Sequence, residues 1–132
     1  MGWRFVSAEG GGVQEVRVTS RVIYVPFEDG SKAFLRYRIE DGKIYLIETY
    51  TPPQHRGKGV ARRMVEKAIE IAREKGLEVV PLCSYAVYYF LKNREARGLL
   101  AEPYRSMSDE DLKKYYEERL AAERAKNAGE KG

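Results

Sequence analysis

A chain of 132 residues and 15.2 kDa is one domain's worth of sequence, long enough for a real core and too short for two catalytic domains. Its 43% hydrophobic and 33% charged residues argue against wholesale disorder, and no apolar run approaches the roughly 18 residues that a membrane span needs. One Cys excludes an internal disulfide or a multi-cysteine zinc site, one His excludes paired-histidine metal motifs, and the formal charge of +4 is mild.

The opening Met1-Gly2-Trp3-Arg4-Phe5 lacks the apolar stretch of a secretory leader, so a cytoplasmic protein is expected. Glu9-Gly10-Gly11-Gly12 reads as a flexible turn or loop. From Val13 to Val25, β-branched residues predict one or two strands, with Val16, Val18, Val22 and Tyr24 alternating against polar positions. Pro26 and Glu28-Asp29-Gly30-Ser31 then make a turn. Ala33, Leu35, Tyr37 and Ile39 alternate with Arg36 and Arg38, which gives the next strand one apolar face. Glu40-Asp41-Gly42-Lys43 is a hairpin turn, because Asp-Gly accepts the positive φ that tight hairpins require. The returning strand, 44–51, contains Ile44-Tyr45-Leu46-Ile47, apolar on both faces and therefore central. Pro52-Pro53 ends it, since neither residue donates a ladder hydrogen bond.

Residues 60–75 carry the clearest helical signal. Ala61, Met64, Val65, Ala68, Ile69 and Ala72 recur at spacings of three and four, and Arg and Glu side chains fill the other face. Gly76 is the expected stop. Leu77 to Cys83 is a short apolar strand in which Pro81 removes a ladder bond and parts it from a neighbour. Ser84 is expected to cap a helix through about Asn93. Residues 98–107 look irregular. Ser108-Asp109-Glu110-Asp111 then starts a helix to about residue 126, with Leu112, Tyr115, Tyr116 and Leu120 as a narrow apolar stripe, and residues 127–132 are expected to fray.

This order predicts an α/β domain over residues 1–97, with a right-handed parallel crossover across 44–83 on an otherwise antiparallel sheet, and an extension over 98–132 with one amphipathic helix. The stripe on that helix docks on the sheet's open side or on a partner chain, which leaves a homodimer open. The extension carries seven basic and eight acidic side chains, so residues 1–97 hold a net +5, and an anionic ligand is expected there. Gln14, Gln54, Asn93 and Asn127 are the only amide side chains, a bias common in proteins that work hot.

Gln54-His55-Arg56-Gly57-Lys58-Gly59-Val60-Ala61 joins the buried strand to the first helix. Gly57 and Gly59 permit unusual dihedrals and close approach of a ligand. The first N–H groups of the helix lack partners, the macrodipole adds positive potential, and Arg56, Lys58, Arg62 and Arg63 surround the loop with charge. A phosphate or pyrophosphate suits it. A glycine-containing connection with a solvated basic rim explains the same residues. No Gly-Lys-Ser/Thr and no Gly-x-Gly-x-x-Gly is present, so it is neither a Walker loop nor a dinucleotide fingerprint.

Gln54-x-x-Gly57-x-Gly59-x-Ala61, between a buried strand and an amphipathic helix, resembles the acyl-CoA pyrophosphate motif of the GNAT N-acetyltransferase superfamily. With Thr49 ahead of it and Val80-Pro81-Leu82-Cys83 before an aromatic-rich helix, residues 13–97 resemble a small single-domain subfamily with a Pro-x-Cys motif. The resemblance implies an acetyl-CoA-dependent N-acetyltransferase that needs no metal and releases coenzyme A. It implies a GNAT-like mixed, mostly antiparallel sheet splayed at its central strands, with helices on both faces. The strands at 44–51 and 79–83 would part into a V-shaped cleft for the pantetheine arm. Gln54, Arg56, Gly57, Lys58, Gly59, Val60, Ala61 and Arg62 would hold the pyrophosphate. Tyr50 and Thr51 would meet the pantetheine amides through their backbone. Lys92 would meet the 3′-phosphate or be solvated charge.

The same resemblance offers three catalytic candidates. Glu48, in an apolar strand, is expected to be desolvated, to have a raised pKa and to act as base. The competing reading pairs it with Arg36 or Arg38 across the hairpin. Cys83, at a strand end before a helix N-terminus, is expected to have a lowered thiol pKa. It either receives the acetyl group or packs beside the thioester. In register with Ala86, the superfamily's leaving-group tyrosine falls on Phe90, so Tyr89 is the nearest hydroxyl. His55 reads as an exposed loop residue. Two other functions fit the sequence. One is an acyl-CoA-binding domain of this shape with regulatory or lost activity. The other is a small basic nucleic-acid-binding domain using some of ten tyrosines for stacking. It ranks last because the basic residues cluster at a helix start and not along an aromatic sheet face. The amine acceptor, small molecule or protein, is not encoded in a recognisable way, and no membrane partner is expected.

Overall fold

The computed structural model describes residues 15–131, with side chains described through residue 126. The glycine turn at 9–12, the start of the strand expected from Val13 and the side chains of the expected fraying end lie outside the described residues. The strands are β1 (Arg17–Val18), β2 (Val22–Pro26), β3 (Lys32–Glu40), β4 (Lys43–Tyr50) and β5 (Glu78–Pro81), and they lie side by side in chain order. The first three pairs are antiparallel, and β4 and β5 are parallel. Helix α1 (Val60–Lys75) connects β4 to β5, and α2 (Ser84–Lys92) and α3 (Asp109–Lys131) follow.

The β3–β4 hairpin turns on Asp41 and Gly42, both at positive φ (53° and 75°), as the Asp-Gly pair requires. Cross-strand partners share a face. Ile23 with Leu35, Val25 with Ala33, and Ile44 and Leu46 beyond them form one fully buried surface. Helix α1 lays Met64, Val65, Ala68 and Ala72, all fully buried, on that surface. Each of the larger of these side chains contributes about 1.5–3 kcal/mol and each alanine methyl about 0.8 kcal/mol, so this layer is the main source of stability. Gly76 ends α1 at φ 68°, as the sequence predicts.

Three local expectations are corrected. Ile39 is not on the core face but 43% exposed beside the hairpin turn. The strand expected over 77–83 is confined to β5, and its pairing stops at Leu46 with Pro81. The N–H groups of Leu82 and Cys83 both turn to the Leu46 carbonyl at 3.0 Å, while β3 follows β4 four residues further, to Tyr50. The last half of β4 therefore has no strand partner on its β5 side. Cys83, not Ser84, occupies the N-cap of α2, because Ser84 spends both its N–H and its hydroxyl on Glu123.

Helix α3 starts with Ser108 Oγ accepting the Asp111 N–H at 3.1 Å. It runs antiparallel to α2, with Asp109 beside Arg97 and Glu123 beside Ser84. The apolar stripe docks within the chain, on α2 and the end of β5, and Leu112 is fully buried. Among the described residues, no helix is long and apolar enough to cross a membrane.

Candidate active site

The loop before α1 is built for an exposed helix end. A single turn of 3₁₀ helix, Pro53–His55, leads to Gly57 at φ 81° and Gly59 at φ 78°, the latter being the N-cap of α1. A side-chain-bearing residue in that left-handed region costs roughly 1–2 kcal/mol. No side chain caps α1 and no acid stands in its first turn, so the orphan N–H groups of Val60, Ala61 and Arg62 keep the positive end of the dipole. These groups open on a cleft of about 400 Å³. One wall is the free end of β4, with Thr49, Tyr50 and Thr51. The other is His55, Arg56, Gly57, Gly59, Val60, Ala61 and Arg62, and Tyr85 of α2 reaches it as well.

Not every residue of the motif turns inward. Gln54 does not line the cleft. Its amide donates to Asp29 Oδ2 at 3.2 Å, and His55 Nε2 meets the same oxygen at 2.9 Å. The His55 ring stacks on Phe27 with centroids 3.7 Å apart, and its side chain is only 16% exposed, so the expected exposed loop residue is a structural one. Hydrogen bonds from the Ser31 hydroxyl and N–H, then from His55 and Gln54, hold the Asp29 carboxyl well below the usual carboxylate range. The turn between β2 and β3 thus latches the cradle loop. Arg56 donates from Nε to Thr51 O at 2.9 Å, which ties the loop's two ends. Lys58 is exposed and lies outside the lining. Lys92 is also outside it, with Nζ 5.6 Å from the Tyr88 ring centroid.

A β-bulge decides what β4 presents to the cleft. Arg36 pairs with Glu48 but Tyr37 pairs with Leu46, so Ile47 is skipped and the alternation of β4 reverses. Glu48 accordingly lies on the face away from α1, about half exposed, with Oε1 2.8 Å from Arg36 Nη2. The desolvated setting expected for it is absent, and the competing ion pair is what forms. Thr49 instead turns toward α2, and its hydroxyl lies 3.0 Å from Cys83 Sγ. Cys83 is 3% exposed. Burial pushes its thiol up, hydrogen bonds from Thr49 and from the Ala86 N–H pull less strongly the other way, and the charge of Glu123 adds a smaller upward push. The expected lowered pKa is thus reversed, because burial outweighs the helix N-terminus. Tyr89 is buried, its hydroxyl 3.5 Å from Glu66 Oε2, and burial first and Glu66 second push its pKa up. Burial does the same to Tyr85.

The face away from α1 also carries Tyr24, Phe34, Tyr45 and Tyr50, with Lys32 over Tyr24 and Arg38 over Tyr45. An aromatic sheet face with basic neighbours therefore exists, contrary to expectation. Arg36 and Arg38 are engaged there by Glu48 and Glu40, and Lys32 lies over the Tyr24 ring.

Sheet order, the parallel β4–β5 pair that parts at Pro81, and the glycine turn at the head of α1 together define a GNAT-type α/β fold. The family described as GCN5-related N-acetyl-transferase matches residues 22–99, more than half of the chain, and the chain belongs to that family. The matched stretch runs from β2 through the turn after α2 and contains every residue that lines the cleft; α3 lies beyond it.

Proposed function

We propose that the protein moves an acetyl group from acetyl-CoA to an amine. The observation that carries this reading is the uncapped first turn of α1, reached through two left-handed glycines, at the wall of a cleft that includes the end of β4 where its β5 side has no strand partner. A pyrophosphate suits that turn, because N–H groups, dipole and the cations of Arg56 and Arg62 converge on it. Lys58 adds charge on approach, and Gln54 acts through the Asp29 latch. The main chain of Tyr50 and Thr51 offers strand-like partners to the pantetheine amides. Lys92 reaches a 3′-phosphate only by leaving the Tyr88 ring, so the cradle rests on residues 56–62.

When bound, acetyl-CoA supplies an acetyl group already activated as a thioester. The acceptor amine must be neutral. At pH 7 deprotonation costs about 4.6 kcal/mol for a lysine-like amine and about 1.4 kcal/mol for an α-amine of pKa near 8. Glu48 is the proton acceptor in this reading, working through solvent, with Arg36 holding its carboxylate. Tyr89, with Tyr85 nearer the cleft, is a phenol at neutral pH and carries a proton for the departing thiolate, and the burial that raises both pKa values works against that transfer. Cys83 is buried and held as a thiol, which favours direct transfer to the amine over an acetyl-cysteine.

Thermal shift with coenzyme A, acetyl-CoA and ATP tests the reading: both CoA ligands raise the melting temperature and ATP does so weakly. Absence of any CoA-dependent rise overturns it. The grip of Arg36 on Glu48 favours a second reading, acyl-CoA binding without turnover. CoA release measured over a panel of amines separates the two.

A further inference from the structure

Helix α3 grips the strand end behind the cleft through side chains placed one turn apart. Tyr115 Oη donates to the Pro81 carbonyl at 2.9 Å, and Arg119 Nε donates to the Leu82 carbonyl at 2.7 Å. The Glu123 carboxylate accepts the Ser84 N–H at 2.8 Å and the Ser84 hydroxyl at 2.6 Å. Spacing by four puts 115, 119 and 123 on one helix face. Their partners, 81, 82 and 84, flank Cys83 on both sides. These are the backbone groups that β5 leaves without a sheet partner as it departs from β4, together with an orphan donor of the first turn of α2. The start of α3 is fixed as well, by Asp109 against Arg97 and Arg94 and by the buried Leu112. The ladder therefore sets the position of one strand end.

Resting on the acetyltransferase reading, we propose that Tyr115, Arg119 and Glu123 are positioning residues. The ladder fixes the Pro81–Ser84 shoulder, and Glu123, seated at the N-terminus of α2, keeps Cys83, buried behind Thr49 of the cleft wall, an unreactive thiol, so that the acetyl group goes to the amine and not to the sulfur.

A bare helix N-terminus stabilises a thiolate beside it. A carboxylate in that position puts a full negative charge against the partial positive one. The groups that face the thiol are Thr49 from β4, the Ala86 N–H from α2, and Glu123 and Tyr115 from α3, with Arg119 beside Tyr115. Removing the Glu123 charge thus favours the thiolate, and loosening the shoulder exposes the sulfur.

The test is the rate of Cys83 alkylation by iodoacetamide in the full chain, from about pH 7 to about pH 11. Glu123→Gln keeps the side-chain length and one acceptor. It is expected to react at least roughly threefold faster at about pH 8, with a lower pH midpoint. Arg119→Met is expected to react faster at every pH. Native rates and a native midpoint in both variants overturn the proposal. If Arg119→Met does not fold, Glu123→Gln decides alone. Melting with and without coenzyme A on the same samples separates the two readings. No CoA effect in the native chain sinks the acetyltransferase reading. A normal CoA effect with unaltered alkylation sinks the ladder alone.

Discussion

The Thr49 hydroxyl and the Cys83 thiol meet at 3.0 Å across the opening between β4 and β5, and a β-bulge at Ile47 brings them together. The hairpin at Asp41-Gly42 sets Ile39 against Ile44 and Tyr37 against Leu46. Continued unaltered, that register would place Leu35 opposite Glu48, aim a carboxylate at α1 and turn Thr49 away. Skipping Ile47 instead pairs Arg36 with Glu48 and Leu35 with Thr49. Burying a carboxylate on the α1 face of the sheet costs more than the loss of one ladder bond, so the bulge is the cheaper solution.

Replacing Thr49 by Val removes the hydroxyl and keeps the shape. The Cys83 thiol loses the hydrogen bond that favours its thiolate, so alkylation at a given pH is expected to slow, while stability falls by about 1 kcal/mol. Thr49→Ser should restore both. Iodoacetamide rates and urea midpoints for the three proteins check this. Equal rates would mean that the contact does not reach the thiol's chemistry.

Glu48→Gln separates ion pairing from proton acceptance. The Arg36 pair is about half exposed, so its loss should change stability by less than about 1 kcal/mol. If Glu48 accepts the proton, turnover of a lysine-like amine should fall more than that of an α-amine, because the first needs about 3 kcal/mol more help at neutral pH. Rates on the two amine types, measured with both proteins, give the comparison. An equal loss on both assigns Glu48 to binding or to the fold.

What could be read in advance was local. Apolar recurrence at three and four residues gave α1 its bounds, Asp41-Gly42 gave the hairpin, and Pro81 gave the point where β5 leaves its neighbour. Each follows from a dihedral preference or a period within a few residues. The bulge was detectable in principle, since Leu35 opposite Glu48 is a mismatch and Arg36 opposite Glu48 is a match. The grip of Glu123 on Ser84 spans 39 residues and that of Gln54 on Asp29 spans 25. With 20 acids and 24 basic residues in the chain, each polar group has many possible partners, and only the packed fold selects one. The same distance effect explains Cys83. Its place before a helix was legible, but the burial that overrides the dipole was not.

Gly57 and Gly59 are constrained by dihedral angle and not by crowding, because a Cβ at either position meets no protein atom within 4 Å. Gly57→Ala is therefore expected to cost roughly 1–2 kcal/mol and to leave the fold in place. Gly57→Trp adds bulk at the cleft lining and should abolish the CoA-dependent thermal shift. A normal shift in a folded Gly57→Trp protein would remove the cradle from residues 56–62.

Asp29 makes the cradle loop sensitive to acid. Its carboxyl is held below the ordinary range by Ser31, His55 and Gln54. A group whose pKa is lowered by folding contributes stability above its unfolded value, near pH 4, and that contribution disappears as the pH falls toward the folded value. Urea midpoints measured from about pH 2 to about pH 6 should thus fall on the acid side in the native chain, and fall less steeply in Asp29→Asn. The same variant loosens the partners of Gln54 and His55, so its CoA-dependent thermal shift should shrink even at neutral pH, although Asp29 does not line the cleft. An unchanged acid limb together with an unchanged CoA shift would mean that the turn between β2 and β3 does not hold the loop. An unchanged acid limb with a smaller shift would place the latch in the geometry of the loop and not in the charge of Asp29.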